Sequence, residues 1–290
     1  KGLAPRRRRL AGVDDRFTIR ELSTVAEDVV RCVVDAPRVA RHARPGQFVI
    51  VRVTDDDERI PLTIADRDPE AGTITLVVQL VGAATRHLGV LGVGDHLADV
   101  LGPLGRPTDI ERFGRCVLVA GGVGAAIVLP VARALAEAGN HTHAIVGART
   151  ADALVLVDDF RDICDEVTVM TDDGTAGGHG FVTGALAEVL DRDGADFVFT
   201  VGPIPMMAAV ADRTRPAGIP TVASLNPIMV DGTGMCGGCR VRVGDETKFA
   251  CVDGPEFDAH LVDFDLLATR NLAYRPFEEC RLTELEPEHA

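Results

Sequence analysis

Three cysteines and an aspartate between Asp231 and Cys251, DGTGMCGGCRVRVGDETKFAC, carry the most specific chemistry in this 290-residue chain. Cys236 and Cys239 form a C-x2-C pair in a glycine-dense loop, and Cys251 follows eleven intervening residues later, so the spacing is D-x4-C-x2-C-x11-C. Plant-type [2Fe–2S] proteins space their thiolates C-x4-C-x2-C with a distant fourth ligand; here Asp231 takes the first position. The glycines between these residues let the backbone fold tightly around a buried cluster and point N–H groups at its sulfurs. Arg240 to Val243 alternates like a strand, Gly244-Asp245 is a turn, and Thr247 to Cys251 reads as the return strand of a hairpin that brings Cys251 back beside the loop. The same side chains could hold one tetrahedral zinc or stand as unliganded thiols. Zinc ribbons usually pair two C-x2-C knuckles, and a single knuckle with a ferredoxin-like offset points instead to iron and sulfur.

Such a loop needs a scaffold, and the chain is long enough for two domains and a small third. Hydrophobic residues make up 46% of it, enough for a well-filled core; aromatics are only 4%, so apolar contacts fall to Val, Leu, Ala and Ile. A formal charge of −14 argues against nucleic acid or an anionic membrane as partner. The run Arg6 to Arg9 sits in a stretch, residues 1–16, that reads as a disordered extension and not as a binding patch. Of seven cysteines, Cys32, Cys116, Cys164 and Cys280 lack paired spacing, which fits a reducing cytoplasm better than a disulfide framework. Neither a secretory signal nor a membrane span is read: the uncharged run Cys116 to Ala132 is broken by three glycines, as a strand-loop-helix would be.

Residues 17–112 have the texture of short strands and turns, the pattern of an antiparallel barrel. Within them, Arg59-Ile60-Pro61-Leu62-Thr63 places a guanidinium, a rigid ring and a hydroxyl close together. Gly82 to Leu88 reads as a glycine turn opening a short helix, with N–H groups and the Thr85 hydroxyl available to an anion. Residues 113–225 alternate strand and helix, which implies a parallel sheet with a nucleotide at the carboxyl ends of its strands. The strand Cys116 to Ala120 ends in Gly121-Gly122-Val123-Gly124; a second ends before Arg149; another, Asp196 to Val201, ends in Gly202-Pro203. The GGVG turn is not G-x-G-x-x-G, and alone it could be an unliganded strand-to-helix turn.

In this order the motifs resemble the ferredoxin–NADP reductase superfamily, and within it the branch with an added C-terminal [2Fe–2S] module. That branch includes the electron-transfer subunit of dihydroorotate dehydrogenase, the beta subunit of sulfide dehydrogenase and the small subunit of NADH-dependent ferredoxin:NADP oxidoreductase. The resemblance spans about Phe17 to Asp265 and is most specific from Leu225 to Cys239. It implies a β-barrel FAD domain over 17–112, an α/β parallel-sheet NAD(P)-binding domain over 113–225 and an iron–sulfur module over 226–265, with 266–290 a tail. It further implies that Arg59 pairs with FAD phosphate and that Pro61, Leu62 and Thr63 line the isoalloxazine, Thr63 being the one side chain given a catalytic role. Gly82 and Thr85 would form the second FAD-phosphate segment. Gly121, Gly122 and Gly124 would form the nicotinamide-dinucleotide loop, and Gly202 and Pro203 the turn near the nicotinamide. Asp231, Cys236, Cys239 and Cys251 would be the cluster ligands. Dihydroorotate dehydrogenase subunits are expected to carry a cysteine where Asp231 stands, so the aspartate favours the other two members. Ile127 departs from the proline many relatives have after the glycine loop; Pro130 falls inside the helix instead.

The implied function is that of a cytoplasmic electron-transfer subunit. A hydride passes between NAD(P)H and FAD, and single electrons pass through the [2Fe–2S] cluster to a larger flavoprotein subunit, as a heterodimer. A free-standing NAD(P)H:ferredoxin reductase is the runner-up; its acidic partner would be repelled by a net charge of −14. A zinc or redox-sensor module without catalysis is the alternative of another class. Arg149 could meet a 2′-phosphate or lie solvated beside the adenine, so NADH and NADPH both stay open.

Overall fold

The structure, a computed structural model, describes residues 17–273. The expected extension 1–16, residues 274–290 of the expected tail, and Cys280 lie outside the described residues.

Seven strands form the first sheet: β1 (Phe17–Ala26), β2 (Val29–Asp35), β3 (Phe48–Arg52), β4 (Ile60–Asp68), β5 (Thr73–Gln79), β6 (His96–Leu97) and β7 (Asp99–Leu104). Helix α1 (Pro37–His42) lies between β2 and β3, and α2 (Ala83–Gly89) between β5 and β6. The order β6-β1-β2-β5-β4-β3-β7 is antiparallel throughout. Its two edges are consecutive in the chain, separated by Ala98 alone, whose N–H donates to Val53 O at 3.1 Å. The sheet has therefore curled until its edges meet, which makes it a nearly closed barrel. Alternation drives the curl. Cys32 and Val34 on β2, Val49 and Val51 on β3, and Ile74 and Leu76 on β5 pack in the barrel core, while the alternate β3 residues Phe48 and Ile50 are buried on its other face in a second cluster.

The second unit alternates β8 (Arg115–Gly121), α3 (Ala125–Glu137), β9 (His141–Ala148), α4 (Val157–Ile163), β10 (Glu166–Thr171), β11 (Gly178–His179), α5 (Val182–Asp193), β12 (Phe197–Val201), α6 (Ile204–Thr214) and β13 (Thr221–Ser224). These strands pair in parallel in the order β11-β10-β9-β8-β12-β13. Their apolar runs, such as Cys116 to Ala120 at 0% exposure, are those of strands covered on both faces. Helix α3 runs through Pro130.

The last segment holds β14 (Arg240–Val243), β15 (Glu246–Phe249), α7 (Ala250–Asp253), β16 (Glu256–Asp258) and α8 (Phe264–Leu272). Two features differ from the sequence reading. Cys251 is not on the return strand: the ladder stops at Arg240↔Phe249, Asp253 accepts the Phe249 N–H at 2.8 Å, and Cys251 sits in the first turn of α7. And α8 crosses the boundary expected at 265, its Leu267 buried. The segment is also not set apart from the rest. Strand β16 adds antiparallel to β13, and one core joins Phe48 and Ile50 of the barrel, Met207 and Ala223 of the second unit, and Met229, Cys239, Val241 and Cys251.

Candidate functional site: an interdomain cleft and a cysteine loop

The second sheet changes direction between β8 and β12: the chain winds outward from β8 through β9 and β10, then returns to β12 on the other side. Two loops leaving the carboxyl ends of such neighbours part and leave a crevice. A cleft of about 750 Å³ lies there. Gly121, Gly122, Gly124, Arg149, Gly202 and Pro203, six of the residues singled out from sequence, all line it. Val29 and Gln79 of the barrel line it too, so it opens between the two units.

Gly122 has φ +55, a left-handed conformation that disfavours side chains, and a Cβ placed there would meet nothing within 4 Å. Its missing side chain is open ligand space. Gly124 serves otherwise: a Cβ there would come within 2.6 Å of Val201 O, so this glycine lets α3 press against the end of β12. At the rim, Arg149 is exposed and, among the described residues, forms no ion pair, leaving its guanidinium available to an anion. Asp172 and Phe181 are among the lining residues that sequence reasoning missed. Asp172 follows β10, its N–H held by Ala148 O at 3.1 Å. Phe181, 69% exposed, precedes α5; an exposed ring in a chain with 4% aromatics was the available signal.

On the barrel, Pro61 is exposed and Leu62 and Thr63 are half-buried near the start of β4, beside the β5 end that carries Gln79. Arg59 makes one ion pair, with Asp99 at 3.2 Å, and is 42% exposed, so most of its donors face outward. The loop before Arg59 is tied to α2. Asp57, 2% exposed at its side chain, accepts from Thr54 N and Oγ1 at 2.9 and 2.7 Å and pairs with His87 Nδ1 at 2.7 Å. Burial opposes the Asp57 charge, but the Thr54 and His87 hydrogen bonds outweigh it and hold the carboxyl below its ordinary range. Arg59 and the Gly82–Thr85 turn are thus braced against each other. The Thr85 hydroxyl is not free as expected: it accepts the Gly82 N–H and donates to Gly82 O, both at 2.9 Å, closing the start of α2.

In the cysteine loop, Cys239 Sγ and Cys251 Sγ lie 3.2 Å apart, and the Cys251 N–H points at Cys239 Sγ at 3.5 Å. The Gly238 N–H points at Cys236 Sγ at 3.5 Å, and Cys236 is exposed. The Asp231 carboxylate accepts the N–H groups of Thr233 at 2.8 Å and Cys236 at 2.7 Å, which holds it ionised below its ordinary range. Burial, then the neighbouring Cys239, push the Cys251 thiol up to about 12. That thiol is neutral on its own, and a metal that bound its thiolate would release the proton to solvent. Of the four expected ligands the structure brings Cys239 and Cys251 together, and among the described residues no group of three or more such donors is placed around one point; the amides aimed at sulfur, and the carboxylate folded over the loop that carries Cys236, are the features that suit a sulfur-rich metal centre.

Residues 226–263 match the family described as the iron–sulfur cluster binding domain of dihydroorotate dehydrogenase B. Over 255 residues the chain is 49% identical to the dihydroorotate dehydrogenase B (NAD(+)) electron transfer subunit homolog of Thermotoga maritima, covering 88% of this chain and 90% of that one. It is 32% identical to the dihydroorotate dehydrogenase B (NAD(+)) electron transfer subunit of Shouchella clausii, covering 83% and 95%. A solved chain from the NADH-dependent reduced ferredoxin-NADP oxidoreductase, a structure described for flavin-based electron bifurcation, superposes with a TM-score of 0.89 at 46% identity, over 95% of this chain and 99% of that one. Phthalate dioxygenase reductase shares the fold at 19% identity, with a TM-score of 0.56. Among the described residues no helix is long and apolar enough to cross a membrane.

Proposed function

The chain belongs to the family of electron-transfer subunits of the dihydroorotate dehydrogenase B type, and from that premise we propose that it carries electrons between NAD(P)H and a larger partner subunit through FAD and a [2Fe–2S] cluster. The flavin takes a hydride as a pair and releases electrons singly, and the cluster moves one at a time. The chain's own work is placement. Gly122 clears the cleft floor for the dinucleotide, Gly121, Gly202 and Pro203 bound it, and Arg149 meets its charged end. Arg59 neutralises FAD phosphate, while Pro61, Leu62 and Thr63 face the ring where it meets the nicotinamide. Cys236, Cys239, Cys251 and Asp231 hold the cluster.

The observation that carries this reading is the shared core. Cys239 and Cys251 pack with Phe48 and Ile50 of the barrel and with Met207 and Ala223 of the nucleotide sheet, so one core joins the three segments. Electron transfer between them then needs no docking step within the chain. Cys32, Cys116 and Cys164, the described cysteines outside the cluster loop, are unpaired, which supports a reducing compartment, the cytoplasm. Asp231 in place of a fourth cysteine favours a partner of the ferredoxin–NADP oxidoreductase or sulfide dehydrogenase kind. The test is cofactor content after anaerobic purification, expected at about one FAD, two iron and two acid-labile sulfides per chain. Stoichiometric zinc without iron would overturn it.

A further inference from the structure

Helix α8 lies beyond residues 226–263, the segment that matches the iron–sulfur family, yet it is fixed against the cysteine loop. Asp263 caps it by accepting the Leu266 N–H at 2.9 Å, and the Asp263 N–H donates to Arg242 O at 3.0 Å. Leu267 is buried in the shared core. Near its C-terminus Asn271 Nδ2 donates to Asn226 O at 3.1 Å, and Arg270 Nη2 donates to Gly238 O at 3.1 Å. Gly238 lies between Cys236 and Cys239, and its own N–H is aimed at Cys236 Sγ.

Resting on the reading that this loop holds a [2Fe–2S] cluster, we propose that Arg270 sets the cluster's reduction potential by fixing a positive charge against the ligand loop. Arg270 is half-buried and, among the described residues, forms no ion pair. The other cations of the segment differ. Arg242 lies 3.9 Å from Asp245, and Lys248 pairs with Glu246. Arg240 also comes near the loop, its Nε 4.0 Å from where a Cβ on Gly237 would lie, but its side chain is exposed and more fully screened by water and salt. The loop also has two carboxylates. Asp231 is bound by the Thr233 and Cys236 amides, and Asp253 by the Phe249 amide.

Three thiolates and a carboxylate already make the ligand set anionic, and one-electron reduction adds a further negative charge. A guanidinium held beside it favours the reduced state, and partial burial reduces the screening that water and salt would impose. Arginine stays protonated at every working pH, so its contribution does not titrate. Its hydrogen bond to Gly238 O also supports the loop, and charge and support can be separated by substitution. Arg270→Gln keeps an amide donor for Gly238 O and removes the charge; Arg270→Lys keeps the charge and loses the planar fork.

The experiment is a redox titration of the anaerobically purified chain, followed by EPR, with iron and FAD content measured alongside. The expected result for Arg270→Gln is unchanged iron and FAD, with the cluster midpoint moved negative by about a tenfold change in the reduction equilibrium, which is about 59 mV for one electron. Arg270→Lys should stay near the unaltered value, and Arg240→Gln should move it less than Arg270→Gln. An Arg270→Gln midpoint equal to the unaltered one, or an Arg270→Lys shift as large as that of Arg270→Gln, overturns the inference. So does loss of iron in both variants, which would assign Arg270 to loop support alone. An unaltered chain that binds no iron overturns the cluster reading itself.

Discussion

At Gly122 in the nucleotide cleft, a Cβ would meet nothing within 4 Å; at Gly232 in the cysteine loop, it would strike Leu104 and Ile50 at 2.6 and 2.8 Å. Both residues have positive φ, +55 and +73. Both stretches look alike as sequence, a cluster of glycines beside residues that could do chemistry. The first glycine leaves open space in the cleft. The second lets the loop lie directly on the barrel. One region is an opening maintained by the fold, the other a loop pressed onto the barrel with Cys239 and Cys251 side by side, and substitutions should separate them.

The largest effect is expected at Gly232. Gly232→Ala meets a left-handed backbone, about 1–2 kcal/mol, and crowds the shared core, typically about 1–3 kcal/mol more. Loss of the cluster and a lowered melting temperature should appear together. Retention of full iron at an unchanged melting temperature would show that the loop does not need this contact.

Asp231 comes next. The structure gives its carboxylate two amide partners, so Asp231→Ala would remove the loop's support together with the proposed fourth ligand. Asp231→Asn keeps one acceptor oxygen and loses the negative charge. The expectation is lowered iron content or altered EPR g-values in Asp231→Asn, and a retained cluster with a shifted potential in Asp231→Cys. An Asp231→Asn variant with full iron and an unaltered spectrum would mean that Asp231 is a loop cap and no ligand.

A smaller and more selective loss is expected in the cleft. Gly122→Ala costs about 1–2 kcal/mol for its backbone, and its methyl enters ligand space. Reduction by NAD(P)H should slow by about tenfold, roughly 1.4 kcal/mol, while dithionite reduces the bound cofactors as before. Gly124→Val is the contrasting substitution. It presses on Val201 O and should lower stability as well as rate. Equal slowing with both reductants in Gly122→Ala would remove this glycine from the nucleotide site.

The cleft was legible because strand-end glycines in a βα alternation fall at one sheet edge by topology alone. Gly121, Gly122, Gly202 and Pro203 needed no knowledge of packing to be placed together. The turn of the chain at Ala250 was not legible: Thr247 to Cys251 carries no glycine or proline to mark a break, and the Asp253 bond to Phe249 N, which meets the chain as it leaves the strand, is a side-chain detail. Nor was the engagement of Thr85 with Gly82, since a free and a capping hydroxyl read alike. The joining of three segments in one core was hidden for a general reason. Met207, Phe48 and Val241 are each ordinary apolar residues in their own elements, and which surface an element covers is a tertiary fact. Arg270 was hidden in the same way, on a helix whose nine residues carry no motif.

Glu256 lies between the two regions and sharpens their comparison most finely. It sits on β16, the strand by which the iron–sulfur segment joins the nucleotide sheet, and accepts the Thr108 hydroxyl at 2.7 Å from the connection between barrel and sheet. Burial, partly offset by the Thr108 hydrogen bond and reinforced by Asp109, raises its carboxyl from 4.5 to about 7. A carboxyl raised on folding binds its proton more tightly in the native state. Between 4.5 and about 7 the native chain therefore holds more protons than the unfolded one, and stability falls as pH rises through that window. Above it the full cost of the buried charge is present. Glu256→Gln keeps an acceptor for Thr108 and has no charge to bury. Its melting temperature should match the unaltered chain near pH 4.5 and exceed it at pH 8, by about 2–4 °C for each kcal/mol recovered. Because β16 anchors the cysteine segment and not the cleft floor, iron retention at pH 8 should improve with it, while the rate of reduction by NAD(P)H stays the same. A Glu256→Gln variant less stable at pH 8 than the unaltered chain would show instead that the ionised carboxylate helps to hold the junction together.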